Sequence, residues 1–163
     1  MKKSNQNPRL AGRPLSEKII LWLAFGFGTG FIRPAPGTWG TLPGVLIAYF
    51  VMPFPSVHFA VIIGLTIIGT WLCQKASDIL GVHDHGGIVI DEIVGVLMTL
   101  WLFQPMWQVL VIGFLAFRFF DILKPFPIKW VDKHVHGGWG IMLDDILAAV
   151  FAWISVWGVL QFL

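Results

Sequence analysis

The sequence is poor in charged residues and has a single cysteine. Aspartate, glutamate, lysine and arginine together make up 12% of its 163 residues, whereas hydrophobic residues make up 56%. Ordinary soluble domains contain about 25% charged residues. The mean hydropathy of +0.78 therefore excludes that class and indicates an integral membrane protein. The single cysteine, Cys73, excludes an internal disulfide, and its apolar neighbours predict a buried side chain without a redox role.

The few charged side chains are confined to three stretches of the chain. These are residues 2–33, 75–92 and 118–145, and the uncharged stretches that separate and follow them are residues 34–74, 93–117 and 146–163. If all charged stretches lie on one membrane face, the first two uncharged stretches must each cross and return as a helical hairpin. Prolines mark the expected turns, at Pro53 and Pro55 in the first hairpin and at Pro105 in the second.

Segment length tests this arrangement, because a membrane-spanning helix needs about 20 residues. Residues 57–74 and the last uncharged stretch are long enough, whereas residues 45–52 are too short. The 93–117 hairpin spans only if its helices extend to Ile88 and Asp121, which places carboxylates at or below the headgroup level. Ionisable groups at that depth are costly and usually functional. The sequence predicts an all-α, polytopic membrane bundle of helical hairpins with a polar site at the cytoplasmic interface, the side that basic residues favour.

Two segments near the N-terminus have a distinct composition. Residues 1–15 are basic and lack apolar periodicity, which predicts a flexible tail before a single membrane-embedded domain, residues 16–163. Residues 33–44 contain three prolines and three glycines, a composition that predicts a shaped loop rather than a regular helix. Such a loop can hold phosphate oxygens through backbone donors, and a tight connection at the membrane interface is the alternative.

Carboxylates converge in the second charged stretch. Asp91 and Glu92 begin a predicted helix, residues 88–103, and Asp84 approaches from the preceding loop. Adjacent helical residues are about 100° apart, so both acids can border one cavity. Clustered carboxylates without thiolates suit a hard cation such as Mg²⁺.

The histidines are arranged in two short repeats, His83-x-His85 and His134-x-His136. Neither repeat has the cysteines or the helical i, i+4 spacing of familiar zinc motifs. We therefore expect these histidines to orient ligands or to lie at the membrane interface.

The third charged stretch contains a further set of acids. Asp121 and Lys124 share one face near a helix end fixed by Pro125. Asp144 and Asp145 follow a glycine-rich turn and are predicted to open the last helix, where stabilisation of the helix dipole is an alternative role for either acid.

The charged stretches also contain basic residues that can contact phosphate, namely Arg33, Arg118 and Lys124. The combination indicates phosphoryl chemistry at a membrane surface. From the residues alone, hydrolysis, head-group transfer and cation transport all stay open.

Several known signatures are absent, including the Asp-x-Asp pair of aspartyl-phosphate phosphatases, the Pro-Ser-Gly-His of histidine-dependent lipid phosphatases and the Asp-Gly-x-x-Ala-Arg of CDP-alcohol transferases. Four other motifs are present in order. They are Gly26-Phe-Gly-Thr-Gly30 with Pro36-Gly-Thr-Trp-Gly40, His83-Asp-His-Gly86 with Asp91-Glu92, Phe117-Arg-Phe-Phe-Asp-Ile-Leu-Lys-Pro125, and Gly137-Gly-Trp-Gly-Ile-Met-Leu-Asp-Asp145. This set resembles the phosphatidylglycerophosphatase A family over about residues 20 to 150.

The resemblance implies a Mg²⁺-dependent, all-helical membrane enzyme that removes the terminal phosphate of phosphatidylglycerophosphate to give phosphatidylglycerol. The implied catalytic residues are Asp84, Asp121 and Asp145. The implied metal ligands are Asp91, Glu92 and Asp144, and the implied phosphate contacts are Arg33, Thr38, Arg118 and Lys124. One carboxylate is expected to act as general base on water. A covalent aspartyl-phosphate at Asp121 is the weaker alternative, because the usual paired-Asp motif is absent.

The resemblance also implies a place and partners for the protein. We expect a multi-pass protein of the bacterial inner membrane whose site faces the cytoplasm, with a phospholipid substrate and no nucleic-acid partner. The main alternative is a small cation- or proton-coupled transporter that uses the same acids. The acids gather on one side of the charge partition and no inverted repeat is visible, both of which favour the enzyme. A purely structural membrane subunit is the third alternative.

Overall fold

The computed structural model describes residues 7–162, and that part of the chain is helical and contains no β-strand. Its elements are α1 (Leu15–Ala24), a 3-10 helix (Thr29–Phe31), α2 (Pro36–Val51), α3 (Pro55–Leu80), α4 (Ile90–Leu100), α5 (Trp107–Leu123), α6 (Ile128–His134) and α7 (Gly137–Leu160). The all-α prediction is confirmed. Part of the predicted tail, residues 1–6, lies outside the described residues, and its flexibility stays a prediction.

Helix α4 is the centre of the fold. It contacts α2, α3, α5 and α7, and its sequence is apolar on every side apart from the two acids in its first turn. A helix that is hydrophobic all round is buried by its neighbours, and here Val94, Val96 and Leu97 are fully buried. Helix α4 has 11 residues, which cover only about 16 Å.

Two helices are long and apolar enough to cross a membrane among the residues described, α3 with 26 residues and α7 with 24. Helices α2 and α5, with 16 and 17 residues, fall short of the ~30 Å hydrocarbon thickness at about 1.5 Å per residue. The structure therefore gives an all-helical bundle with two candidate spans.

The helices break at the predicted prolines, while the crossing of a membrane by each hairpin stays a prediction. Helix α2 ends at Val51 and α3 begins at Pro55, while α4 ends at Leu100 and α5 begins at Trp107. We call residues 52–54 and 101–106 the uncharged tips. The two tips lie near each other, because the Trp101 indole N–H donates to the carbonyl oxygen of Pro55, the first residue of α3, at 3.3 Å. The Trp153 indole N–H of α7 donates to the Trp101 carbonyl oxygen at 2.9 Å.

The prediction of a loop over residues 33–44 is wrong from Pro36 onwards, where α2 begins. Proline is well placed at the first helical position, since its missing N–H has no intrahelical partner there. The glycines allow α2 to pack closely on α4: a Cβ added at Gly40 would overlap the Val89 side chain, and one added at Gly44 would overlap Val96. Tertiary packing overrides the low helix propensity of this segment.

The start of the last helix was also predicted wrongly. Helix α7 begins at Gly137, so Asp144 and Asp145 lie in its third turn rather than at its start. The dipole effect falls off within the first turn, which excludes the alternative that these acids only stabilise the helix end. A Cβ added at Gly138 would overlap the Thr70 carbonyl oxygen, so the glycines serve close packing of α7 on α3.

Candidate functional site

Three carboxylates form a compact group that we call the acidic cluster. Oxygens of Asp91, Glu92 and Asp145 lie within 4.8 Å of one another. Asp91 is only 5% exposed and Asp145 only 3%. At this separation each pair of charges repels by roughly 3 kcal/mol or more at an effective dielectric constant of 20. A cation held between these carboxylates would offset the repulsion.

The helix packing explains why these three side chains meet. Asp91 and Glu92 lie in the first turn of α4, where the helix dipole favours negative charge. Asp145 comes from α7, which packs on α4 at Gly95; a Cβ added there would lie 3.4 Å from the Asp145 carbonyl oxygen and would overlap the Phe117 ring. The small residue therefore lets α4, α5 and α7 converge at one level.

Arg118, near the end of α5, lies on one flank of the cluster. Its Nη1 is 2.5 Å from Asp121 Oδ2 and 3.7 Å from Glu92 Oε1. All three side chains are 12–13% exposed, so these interactions are little screened by water. The i, i+3 spacing of Arg118 and Asp121 places them on one helical face. The guanidinium thus joins α5 to the first turn of α4.

Lys124 pairs with Asp144, the residue that precedes Asp145 of the cluster. Its ammonium contacts the Asp144 carboxylate and lies 2.7 Å from Asp132 Oδ1. Lys124 is the C-cap of α5 with a left-handed backbone, φ 44°, and this ends the helix. Asp132 was not predicted as a site residue. No helix was predicted over the residues of α6, so the sequence did not show which side of a helix Asp132 occupies.

The N-terminus of α2 forms a wall of the site. A Cβ added at Gly37 would overlap Glu92 Oε1 and would lie 3.0 and 3.1 Å from the two terminal nitrogens of Arg118. Thr38 is the next residue in this first turn, and its backbone N–H donates to the Ala35 carbonyl oxygen. The glycine is required here by close approach of two side chains to the backbone.

The remaining predicted site residues lie further from the cluster or outside it. Arg33 is exposed, and its Nε donates to Asn7 Oδ1 at 3.3 Å. Asp84 lies in the loop between α3 and α4 with φ 51°, and it is not a member of the three-carboxylate group. Of the four predicted phosphate contacts, Arg118 contacts Glu92 of the cluster, Lys124 contacts Asp144 beside it in the sequence, and Thr38 follows Gly37.

The histidines take no part in the acidic cluster. Among residues 7–162, the group close enough to share a metal ion contains carboxylates and no histidine. His85 is buried, and its Nδ1 accepts a hydrogen bond from the Gly87 N–H at 3.1 Å. The rings of His83 and His136 lie 5.5 Å apart, which joins the loop before α4 to the loop before α7.

The donor set fits a hard divalent cation. Asp145 Oδ2 is buried and receives no hydrogen bond from the part of the chain that is described, and a buried carboxylate oxygen needs a partner. The cluster offers only carboxylate oxygens, the ligands that Mg²⁺ and Ca²⁺ prefer, and no thiolate.

The fold and the site together define a class of protein. It is a helical bundle with two helices that could cross a membrane and with a buried carboxylate cluster. Arg118 contacts Glu92 of this cluster, and Lys124 contacts the neighbouring Asp144.

Comparison with known proteins identifies the family. Residues 22–160 match the family model described as Phosphatidylglycerophosphatase A. The chain is 47% identical to phosphatidylglycerophosphatase A of Haemophilus influenzae over 140 residues, which cover 84% of this chain and 86% of the relative. It is 43% identical to the Escherichia coli protein of the same name over 132 residues, covering 80% and 77%. No solved structure matches.

The chain therefore belongs to the phosphatidylglycerophosphatase A family, as its motifs predicted. The transporter alternative gains no support, because the family and both relatives are named as an enzyme.

Proposed function

We propose that this protein is a lipid phosphatase that hydrolyses phosphatidylglycerophosphate to phosphatidylglycerol and inorganic phosphate. Family membership supports the substrate. The observation that supports the chemistry is the acidic cluster within 4.8 Å, with Arg118 in contact with Glu92 of this cluster and Lys124 in contact with the neighbouring Asp144. A phosphomonoester carries two negative charges near neutral pH, so its site needs a cation and basic side chains together.

Mg²⁺ is the cation that we propose for the cluster, held by Asp91, Glu92 and Asp145. When bound, it would supply Lewis-acid stabilisation of the charge on the phosphoryl oxygens. Asp144, which was predicted as a ligand, contacts Lys124, and we therefore propose that it positions that lysine.

The remaining charged groups of the site bind the phosphate and move protons. Arg118 and Lys124 donate hydrogen bonds to phosphoryl oxygens, and Asp121 and Asp144 hold these two cations in place. A water gives one proton to the general base as its oxygen bonds to phosphorus and the bond from phosphorus to the glycerol oxygen breaks. The protonated base then gives that proton to the leaving glycerol oxygen. The general base is one of the acids outside the cluster, Asp84 or Asp121, because the charge of the cluster is used by the cation.

Metal removal tests this function directly. The purified protein in detergent is expected to release phosphate from phosphatidylglycerophosphate in the presence of Mg²⁺ and to lose nearly all activity after exhaustive chelation. Readdition of Mg²⁺ should restore phosphate release, whereas Zn²⁺ should restore it poorly because the cluster has no nitrogen or sulfur ligand. Undiminished phosphate release after chelation would contradict the metal-centred chemistry.

We further propose that the protein is a multi-pass protein of the bacterial inner membrane with the site facing the cytoplasm. In this arrangement α2 with α3, and α4 with α5, form hairpins whose uncharged tips point away from the cytoplasm. The confinement of charge to the stretches around the site supports this orientation, and so do the basic residues in those stretches.

Single-cysteine labelling tests the orientation. In a Cys73→Ser background, cysteines at Lys75 and Lys133 are expected to react with an impermeant reagent from the cytoplasmic side. A cysteine at Phe54, in an uncharged tip, is expected to react only from the opposite side. Reaction of Lys75 and Lys133 variants from different sides would contradict the hairpin arrangement.

A further inference from the structure

Helix α6 presents an exposed surface that the proposed reaction does not use. We call it the α6 surface and define it by Phe126, Lys129, Trp130, Lys133 and His134. All five residues are exposed, Phe126 to 81% and Trp130 to 53%. The opposite side of α6 is buried through Ile128 and Val131, and α6 packs on α7. The helix therefore lies on the bundle with one apolar side inward and a basic, aromatic side outward.

This surface continues an apolar stripe on the outside of α5. The stripe consists of exposed residues at helical spacing, namely Trp107, Val111, Leu115, Phe119 and Ile122. Helix α5 ends at Leu123, and the exposed Phe126 follows in the turn that leads to α6. A continuous exposed stripe of this kind suits contact with hydrocarbon. The first exposed lysine after the stripe, Lys129, follows three residues after Phe126. The α6 surface therefore lies where apolar surface gives way to charge, which is the boundary between hydrocarbon and headgroups.

The charge of the α6 surface is positive. Lys129 and Lys133 are four residues apart and share one face of the helix. The single acid of α6, Asp132, is engaged by Lys124 at 2.7 Å and so does not neutralise them. Trp130 stacks on His134 with ring centroids 4.7 Å apart, and tryptophan is enriched at membrane–water interfaces.

We propose that the α6 surface binds the anionic headgroups of the surrounding bilayer and thereby sets Asp132 against Lys124. This inference rests on the proposed membrane location. Charge complementarity favours anionic lipid, and continuity with the α5 stripe favours the bilayer over a soluble partner. Two lysines at an anionic surface change the equilibrium constant between surface-bound and detached α6 by about 30-fold in favour of the bound form. Asp132 is on α6 and contacts Lys124, which also contacts Asp144. When α6 is bound to the lipid surface, Asp132 therefore keeps the Lys124 ammonium beside Asp144 for a larger fraction of the time.

The position of α6 is measured without reference to catalysis. The full-length protein, with Cys73→Ser and a fluorophore on His134→Cys, is reconstituted in phosphatidylcholine vesicles with or without phosphatidylserine. Quenching by a nitroxide on the lipid headgroup is expected to be stronger with phosphatidylserine and to weaken at high salt, which screens exposed charges. The added double substitution Lys129→Gln/Lys133→Gln should abolish the difference. The matched control Lys18→Gln/Lys75→Gln removes two charges elsewhere and should preserve it.

Two results of the quenching measurement would overturn the proposal. One is equal quenching in neutral and anionic vesicles, or a difference that survives Lys129→Gln/Lys133→Gln. The other is quenching that increases when the protein is diluted in the vesicles, because a second copy of the chain would then be what covers the α6 surface at high density.

The same vesicles report the consequence for phosphate release. Phosphatidylserine is expected to raise the rate of phosphate release about fivefold in the unsubstituted protein and in the control variant. This increase is smaller than the change in binding that two lysines allow. In Lys129→Gln/Lys133→Gln the increase should be less than twofold. If phosphatidylserine raised the rate equally in the unsubstituted protein and in Lys129→Gln/Lys133→Gln, the coupling of lipid binding to Lys124 would be overturned. A protein that shows the expected quenching but releases no phosphate in any vesicle or in detergent would contradict the proposed function, while the lipid contact would stand.

Discussion

Asp145→Asn is expected to lower phosphate release by about 100-fold or more at limiting Mg²⁺, without unfolding the protein. Asparagine keeps the size of the side chain and one oxygen, but it removes a charge from the cluster in which oxygens of Asp91, Glu92 and Asp145 lie within 4.8 Å. The loss in affinity for Mg²⁺ should appear as a higher concentration of the ion needed for half-maximal rate. Phosphate release across a Mg²⁺ titration measures it.

Asp78→Asn is the matched control for this substitution. Asp78 lies in the last turns of α3 near the same end of the bundle, but it is exposed and accepts a hydrogen bond from Gln74 at 2.8 Å. Its replacement is expected to leave the Mg²⁺ titration unchanged. If Asp145→Asn behaved like Asp78→Asn, the acidic cluster would not be the metal site.

Gly37→Ala is expected to lower phosphate release by about 100-fold, because displacement of a catalytic group by 1 Å has an effect of that size. The added Cβ would overlap Glu92 Oε1 and press on both terminal nitrogens of Arg118. Glu92 and Arg118 must therefore move, while the helix itself gains propensity from alanine. Activity and thermal unfolding, measured on the same preparation, separate the effect on the site from an effect on the fold.

Gly64→Ala provides the comparison within the same protein. A Cβ at this position in α3 would meet no atom within 4 Å. The substitution is expected to stabilise the helix by about 0.5 to 1 kcal/mol and to preserve activity. Full activity in Gly37→Ala would show that neither Glu92 nor Arg118 needs its present position.

The helical hairpins could be predicted from the sequence because their determinants are local. Pro53 and Pro105 lie in the breaks between helices, and Pro55 begins α3, which are positions that the proline ring favours. Pro43, in contrast, lies inside α2, so a proline alone does not decide where a helix ends.

The length needed to span a bilayer predicted that the helices of the 93–117 hairpin extend to Ile88 and Asp121. Helix α5 passes Asp121 and ends at Leu123, whereas α4 begins at Ile90, two residues short of the predicted start.

The close packing of helices could not be predicted from the sequence. Glycines at 37, 40 and 44 disfavour a helix by propensity, yet each lies where Glu92, Val89 or Val96 approaches the backbone of α2. Only the tertiary structure supplies that neighbour. The same holds for Asp132, whose contact with Lys124 depends on where α6 lies, and for Asp144, whose lysine partner is 20 residues away.

The uncharged tips have a consequence for how the chain enters a bilayer. Translocating a charged residue to the bilayer centre costs about 2.5 to 3.5 kcal/mol on insertion scales. Residues 34–74 and 93–117, which include both tips, contain no Asp, Glu, Lys or Arg. In the proposed orientation each hairpin can therefore insert tip first without moving an ion across the hydrocarbon. The acids that the site needs stay on the side where the chain is synthesised.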